Sequence, residues 1–253
     1  MNFDELKKVW KEEEKAAVMR GWDFSHIEDR YKSGDDELPW DYASVIKEYL
    51  TDDKMLLDMD TGGGEFLLSL GHPYDKTAAT EAYTPNVKLC RKELIPLGIN
   101  FQPAISGGKL PFEDGSFDMV INRHGGYDAD EVYRVLRKGG MFITQQVGGN
   151  NDRELVELLC SHLSPKYQGH CLANELEKFR TAGFEVVKSN ECYLPIEFYD
   201  VGALVWFARI IEWEFLGFSV DRDFERLCEA QRILEKDGRI CGSIHRFMIA
   251  AKK

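Results

Sequence analysis

Apolar positions near the start of the chain recur at helical spacing. Phe3, Leu6, Trp10, Ala17 and Val18 fall close to one face of a helix predicted over 3–20, and Gly21 stands where a C-terminal stop belongs. Residues 22–40 lose that period. Gly34 and Pro39 interrupt them, with Trp22, Phe24 and Trp40 as large apolar anchors. A short helix is predicted over 41–50. From residue 55 onward, short apolar runs alternate with helix-period segments. Strands are predicted over 55–59, 76–82, 99–105, 116–122, 141–147, 184–192 and 243–251. Helices are predicted over 65–70, 84–97, 128–137, 152–163, 173–182, 197–213 and 222–236. Thr84-Pro85 places a cap and a first-turn proline together. The 128–137 segment puts acids in its first turn and bases in its last, as the helix dipole favours.

This alternation implies an α/β fold, a mainly parallel sheet with helices on both faces. Ligands of such sheets sit beyond the carboxyl ends of the strands, at the point where strand order reverses. The loops after Met59, Ala82, Ile105, Asn122 and Val147 therefore form the predicted active face.

Composition narrows the function class. The chain has 253 residues and 44 acids against 32 bases, a net charge of −12. That excess of acid disfavours a phosphate backbone as partner, because nucleic acid is gripped by dense Lys and Arg. The six cysteines form no C-x-x-C pair and no metal-ligand spacing with histidine, so they read as reduced and structural in a cytoplasmic protein. The N-terminal stretch has charges every few residues and no apolar h-region. The apolar run VGALVWFA at 201–208 is too short to span a bilayer, so no membrane role is expected.

The strongest local signal is LLDMDTGGGEF (56–66), a strand running through three glycines into a helix. Glycines there let the backbone approach a ligand and aim amide N–H groups at it. A glycine turn alone is weak evidence, and the G-x-G-x-x-G fingerprint fails because position 67 is Leu67. Three further segments follow in order. Glu81 ends the second strand, where a carboxylate suits a ribose diol. LPFEDGSFDMVIN occupies 110–122, and RVLRKGG occupies 134–140.

Together these four parts resemble the class I S-adenosylmethionine (SAM)-dependent methyltransferases, in the methyltransferase type 11-like branch. The resemblance covers about residues 55–147. It implies SAM as cofactor and a Rossmann-like, seven-stranded, mainly parallel sheet whose last strand, SIHRFMIAA, is antiparallel. It implies that Asp58 organises the methionine end of the cofactor and that Gly62, Gly63 and Gly64 pass beneath it. Glu81, with Ala82 beside it, matches the ribose-binding position. Ile105 would pack against the adenine ring, Ser106 would meet its amino group, and Asn122 and Arg123 would lie beside the methionine moiety. Two departures stand out. Asp60 replaces the first glycine of the family's turn, bringing a negative charge close to the cofactor. Ser106 stands where the family often has an acid.

SAM carries an activated methyl group, so a protein using it mainly has to align the acceptor and exclude water. A base helps only when the acceptor is a poorly ionised O–H or N–H. His124, in VINRHGGYD on the predicted active face, is the candidate base; the alternative is a ring that hydrogen-bonds a loop or lines the cofactor. Tyr127 and Gln146 are candidate acceptor-orienting groups, or loop packing. Trp22, Trp40 and Tyr42 either close over the acceptor or pin the N-terminal helix. Trp206 and Trp213 either line an acceptor pocket or belong to a core. No N/D-P-P-Y/F motif follows the fourth strand, which argues against amino-methylation of nucleic-acid bases.

The sequence therefore predicts an N-terminal helical and aromatic cap over 1–50 and a methyltransferase domain over 51–253. Within that domain the SAM-binding half is 51–150, and a helical insertion over 195–240 is a possible substrate region. The expected function is methyl transfer to a small-molecule acceptor. The alternatives are a degenerate SAM-fold binding or regulatory protein, motivated by Asp60, and an RNA methyltransferase, which needs a basic surface.

Overall fold

The structure is a computed structural model, and it describes residues 3–18, 23–160, 163 and 167–253. The elements in chain order are α1 (Phe3–Ala16), β1 (Tyr31–Ser33), α2 (Tyr42–Lys47), β2 (Leu56–Met59), α3 (Glu65–Ser69), β3 (Thr77–Glu81), α4 (Thr84–Glu93), β4 (Asn100–Pro103) and β5 (Phe117–Arg123). Then come α5 (Ala129–Val135), β6 (Leu136–Val147), α6 (Arg153–Leu159), α7 (Leu172–Thr181), β7 (Glu185–Phe198), α8 (Val201–Ile210), α9 (Phe224–Asp237) and β8 (Ile240–Lys252).

All seven predicted strands form. The sheet nevertheless has eight strands, in the order β1-β7-β8-β6-β5-β2-β3-β4. The extra strand, β1, lies in the stretch expected to be irregular. It is three residues long, and its register, Tyr31 opposite Phe198 and Ser33 opposite Ile196, comes from its partner β7. A segment so short shows no alternation of its own. From β6 to β4 the pairs are parallel, and β8 runs antiparallel to β6 as expected of the last strand.

Several boundaries moved for local reasons. The first helix ends at Ala16 rather than near residue 20. The predicted 197–213 helix begins at Val201, because Glu197 and Phe198 complete β7 and the Asp200 side chain caps the helix by accepting from the Ala203 N–H at 2.7 Å. The fourth helix stops at Glu93, and a 3-10 turn over Ile95–Leu97 carries Pro96.

The chain divides into two compact units. One comprises Met1–Leu38, Gly149–Gly169 and Tyr193–His245; the other comprises Pro39–Gly148, His170–Cys192 and Arg246–Lys253. In the first unit α1, α6, α8 and α9 share a core that includes Trp10, Leu155, Leu204, Phe207 and Leu227. Glu13 joins Arg30 at 2.6 Å and His26 at 2.7 Å beside it.

The second unit holds the parallel sheet between two apolar layers, as strand periodicity requires. Leu56, Ala79, Met119, Ile121, Ile143 and Met248 face α2, α3 and α4. Leu57, Ala78, Val120, Phe142, Phe247 and Ile249 face α5 and α7. Phe142 and Phe179 stack at 5.4 Å between ring centres, nearly parallel. Strand β2 sits in the middle with all four residues buried. The chain steps outward from β2 to β3 and β4, then crosses back to β5 on its other side. That reversal puts the β2 and β5 carboxyl ends at the switch point, where the glycine turn also lies. Among the described residues, no helix is long and apolar enough to cross a membrane, and all six cysteines are free thiols.

Candidate active site

Strand β2 delivers Asp58 to the switch point, where it is buried. The Thr61 hydroxyl donates to its Oδ2 at 2.6 Å. Burial pushes the Asp58 carboxyl up to about 7; Thr61 and Arg123 oppose the rise, and the neighbouring charges of Asp60 and Glu81 add to it.

The turn that follows needs glycine at one point above all. Gly64 has φ +91°, and a Cβ there would come within 2.7 Å of Leu94 Cδ2, so both backbone and packing exclude a side chain. At Gly62 a Cβ would meet nothing within 4 Å, so the backbone there faces open space. Beneath it, the Cys90 thiol donates to the Gly62 carbonyl at 3.1 Å.

Glu81 ties the end of β3 to this turn. Its Oε2 accepts from the Gly62 N–H at 2.8 Å, and its Oε1 accepts from the N–H groups of Ala82 and Tyr83, each at 2.8 Å. A carboxylate has about four lone-pair positions, so roughly one stays available to a hydroxyl. Ala82 is exposed beside it.

Asp60 adopts φ +55°, a left-handed conformation that aspartate tolerates better than most residues. Its carboxylate accepts from the Ser106 hydroxyl, and Ser106 Oγ in turn accepts from the Gly126 N–H at 3.0 Å. Burial, with the charge of Glu81, raises the Asp60 pKa, while the Ser106 and Gly126 hydrogen bonds pull it back. A Cβ on Gly125 would fall 2.4 Å from Asp60 Oδ2 and 2.8 Å from Asn122 Nδ2. The loops after β2, β4 and β5 are thus stitched together around Asp60. Ile105, next to Ser106, is 80% exposed at the outer rim.

Strand β5 ends in Asn122, Arg123 and His124. Asn122 is buried, donates from Nδ2 to the Met59 carbonyl at 3.1 Å, and accepts at Oδ1 from Gln146 Nε2 at 2.7 Å and Thr144 Oγ1 at 3.2 Å. Gln146 also reaches the Gly125 carbonyl at 3.1 Å. Both amides are therefore occupied in holding strand ends together. The Arg123 guanidinium lies 4.4 Å from the centre of the Phe66 ring, a cation–π contact. His124 has φ +61°, and its backbone N–H donates to the Gln145 carbonyl at 2.8 Å. Its ring Nε2 lies 3.2 Å from Gln145 Nε2, and Gln145 Oε1 accepts from the Trp40 indole N–H at 2.8 Å. Desolvation of the ring, with the positive charges of Arg246 and Arg123, lowers the His124 pKa. The residue keeps exposed surface, so water tempers the effect, but the sign leaves the ring neutral at pH 7.

Asp58, Asp60, Gly62–Gly64, Glu81, Ala82, Ile105, Ser106, Asn122, Arg123 and His124 all stand at the carboxyl ends of the parallel strands, in one unit. Trp40 joins them through Gln145. Tyr42 is buried, with its hydroxyl bonded to the Asn122 and Ile143 carbonyls at 2.9 and 3.0 Å. The Tyr127 hydroxyl donates to buried Glu175 at 2.7 Å. Trp206 and Trp213 belong to the other unit. Trp206 is 3% exposed within its core, edge-on to Phe24 at 5.8 Å, and Trp213 is partly buried against the same core. Trp22 lies outside the described residues. Sequence reasoning missed Thr61, Gly125 and Gln145. The only sequence signal for Gln145 was strand alternation, which puts it on the face opposite Gln146.

Residues 57–144 match the family model of the methyltransferase domain. That match spans the parallel strands β3, β4 and β5 and most of β2 and β6. The phthiotriol/phenolphthiotriol dimycocerosates methyltransferase of Mycobacterium tuberculosis (strain ATCC 25177 / H37Ra) is 33% identical over 98 residues, a match covering 36% of each chain. The chain thus spans about a third of that relative's length. Among solved structures, the YcgJ protein of Bacillus subtilis superposes with a TM-score of 0.57 at 18% identity, over 84% of this chain and 97% of that one. A candidate methyltransferase from Bacillus halodurans C-125 gives 0.56 at 17% identity, over 84% and 98%. At such identities the structural likeness concerns the fold.

Proposed function

We propose that this protein is a SAM-dependent methyltransferase acting on a small-molecule acceptor. The observation that carries the reading is the placement of Asp58, a carboxyl buried at the switch point and raised to about 7 chiefly by that burial, next to the glycine turn and Glu81. SAM is a cation at its sulfonium and its amino group, and it offers a diol. The residues fit that set of groups: a buried acid, open space over Gly62, and a carboxylate with a lone-pair position to spare.

When bound, SAM supplies a methyl group already activated for transfer. Asp58 would favour the positive end through its charge, and Glu81 would hold the ribose while keeping the turn in place through the Gly62 amide. Asn122, fixed by Gln146 and Met59, would form the floor beside the methionine moiety. The contribution of these residues is alignment and charge complementarity rather than covalent chemistry. Calorimetric titration with SAM and with S-adenosylhomocysteine tests the reading. Saturable one-to-one binding, weakened at least about tenfold by Asp58→Asn (about 1.4 kcal/mol), is expected. No heat of binding at high ligand concentration in the parent protein would sink it.

A second reading has one observation behind it. Asp60 sits at a turn position with φ +55° and is bonded to Ser106. A protein of this fold that no longer methylates, and that binds or regulates instead, would keep such a substitution. It predicts that Asp60→Gly restores or markedly strengthens SAM binding, whereas tight binding by the parent counts against it.

A further inference from the structure

The three side chains Trp40, Gln145 and His124 form a chain whose hydrogen positions follow from elementary chemistry. An indole Nε1 carries a hydrogen and no available lone pair, so whatever it meets at 2.8 Å must accept. The Gln145 atom facing Trp40 is therefore the carbonyl oxygen, and the amide NH2 is turned toward His124. An amide NH2 only donates. The His124 nitrogen at 3.2 Å must then be the one with the lone pair, which is Nε2. A neutral imidazole with a bare Nε2 carries its proton on Nδ1. The backbone fixes the spacing, since the His124 N–H donates to the Gln145 carbonyl at 2.8 Å and the residue is held at φ +61°. Free imidazole side chains favour the opposite tautomer, so the assignment is specific to this environment.

We propose that Trp40 orients Gln145, and Gln145 locks His124 as the neutral Nδ1–H tautomer, making Nδ1 a hydrogen-bond donor and leaving the ring no free lone pair to act as a base. Gln145 and Trp40 are positioning residues acting through His124. The Nε2 lone pair is engaged by Gln145, and Nδ1 has no lone pair to offer. The guanidiniums of Arg123 and Arg246 further oppose an imidazolium.

The chemical consequence rests on the methyl-transfer reading; the tautomer does not. If the protein methylates, any proton the acceptor loses goes to a group other than His124 or to solvent. The acceptor's own electron pair forms the bond to the methyl carbon, the carbon–sulfur pair returns to sulfur, and no proton passes through His124.

Nitrogen-15 NMR of histidine-labelled, unliganded protein at pH 7 tests the tautomer directly, with His124 assigned by the resonances lost in His124→Asn. A pyrrole-like Nδ1 and a pyridine-like Nε2 are expected in the parent. Gln145→Glu replaces the donor by an acceptor, and the tautomer should reverse to Nε2–H. Trp40→Phe frees the Gln145 orientation and should give a mixture. A parent ring found as Nε2–H or as imidazolium overturns the proposal, and so does a Gln145→Glu ring that keeps Nδ1–H. The parent spectrum decides even where a variant fails to fold. Failure to bind SAM, read separately by calorimetry, would count against the proposed function and leave the tautomer result standing.

Discussion

The phenol oxygen of Tyr42 lies 2.9 Å from the carbonyl oxygen of Asn122 and accepts from the same residue's N–H at 3.2 Å. One side chain from α2 thereby satisfies backbone groups at the end of β5, at the residue proposed as the floor of the site. Burial raises the Tyr42 pKa well above the usual phenol range, with the charge of Asp58 adding to it, so the hydroxyl stays neutral. Tyr42→Phe removes this partner and leaves a buried N–H and carbonyl less well satisfied. We expect a loss of roughly 1–3 kcal/mol in stability, read as a lower urea midpoint at an unchanged slope.

Asp58 sets a pH dependence with a definite sign. Its folded pKa, about 7, lies above its ordinary value of 3.8. Its contribution to stability is therefore fully present below about pH 3.8 and is lost as pH rises through about 7. Relative to Asp58→Asn, the unliganded parent should lose stability between about pH 4 and 7 and then level off. SAM binding should run the other way, tightening over the same window as the carboxylate forms. Calorimetry in buffers of different ionisation enthalpy should show proton release on binding; a buffer-independent enthalpy at pH 6 would refute it.

The Asp60 corner is sterically tight. Gly125→Ala would put a methyl 2.5 Å from Asp60 Cβ, so the aspartate or the β5 loop must move. We expect a stability loss of roughly 1–3 kcal/mol and weaker SAM binding. The double variant Asp60→Gly/Gly125→Ala should recover part of both, because the contacts with Asp60 are then gone while the one with Asn122 Nδ2 at 2.8 Å remains. Additive losses in the two single variants would show that the two residues do not interact.

Glu175 anchors the layer on the other side of the sheet. Its carboxylate receives His170 Nδ1 at 3.1 Å, Lys178 Nζ at 2.6 Å and the Tyr127 hydroxyl at 2.7 Å. Burial works to raise its pKa, but these three hydrogen bonds together hold it down at about 2. A depressed folded pKa means stability that is complete above the ordinary value of 4.5 and lost as pH falls toward 2. The contribution at neutral pH is at most about 3 kcal/mol. Glu175→Gln should flatten the acid limb of the stability–pH profile; an unchanged limb would exclude this cluster as its source.

Much of the fold was legible before any coordinates. Each predicted strand formed because its apolar residues sit at the spacing a buried strand needs, and the glycine turn announced the switch point because few other residues can make that bend. The eighth strand was not legible, since Tyr31–Ser33 owes its conformation to Ile196–Phe198 rather than to its own pattern. The positions at the strand ends followed from the alternation of strands and helices. Their hydrogen-bond partners did not. Tyr42 reads as an exposed lid or an internal pin with equal ease, and only the position of α2 beneath β5 makes it a pin.

The sequence by itself determined the α/β class, the parallel core and the residues that stand at its carboxyl ends, because periodicity and turn chemistry act between neighbours along the chain. The tertiary structure decided the burial and partnership of those residues: Asp58 buried and bonded to Thr61, Asp60 bonded to Ser106, His124 facing Gln145. Those states depend on groups 46, 21 or 105 positions apart, as in Asp60–Ser106, His124–Gln145 and Trp40–Gln145. Folding brings such groups within hydrogen-bond reach, and burial then sets the strength of their charges.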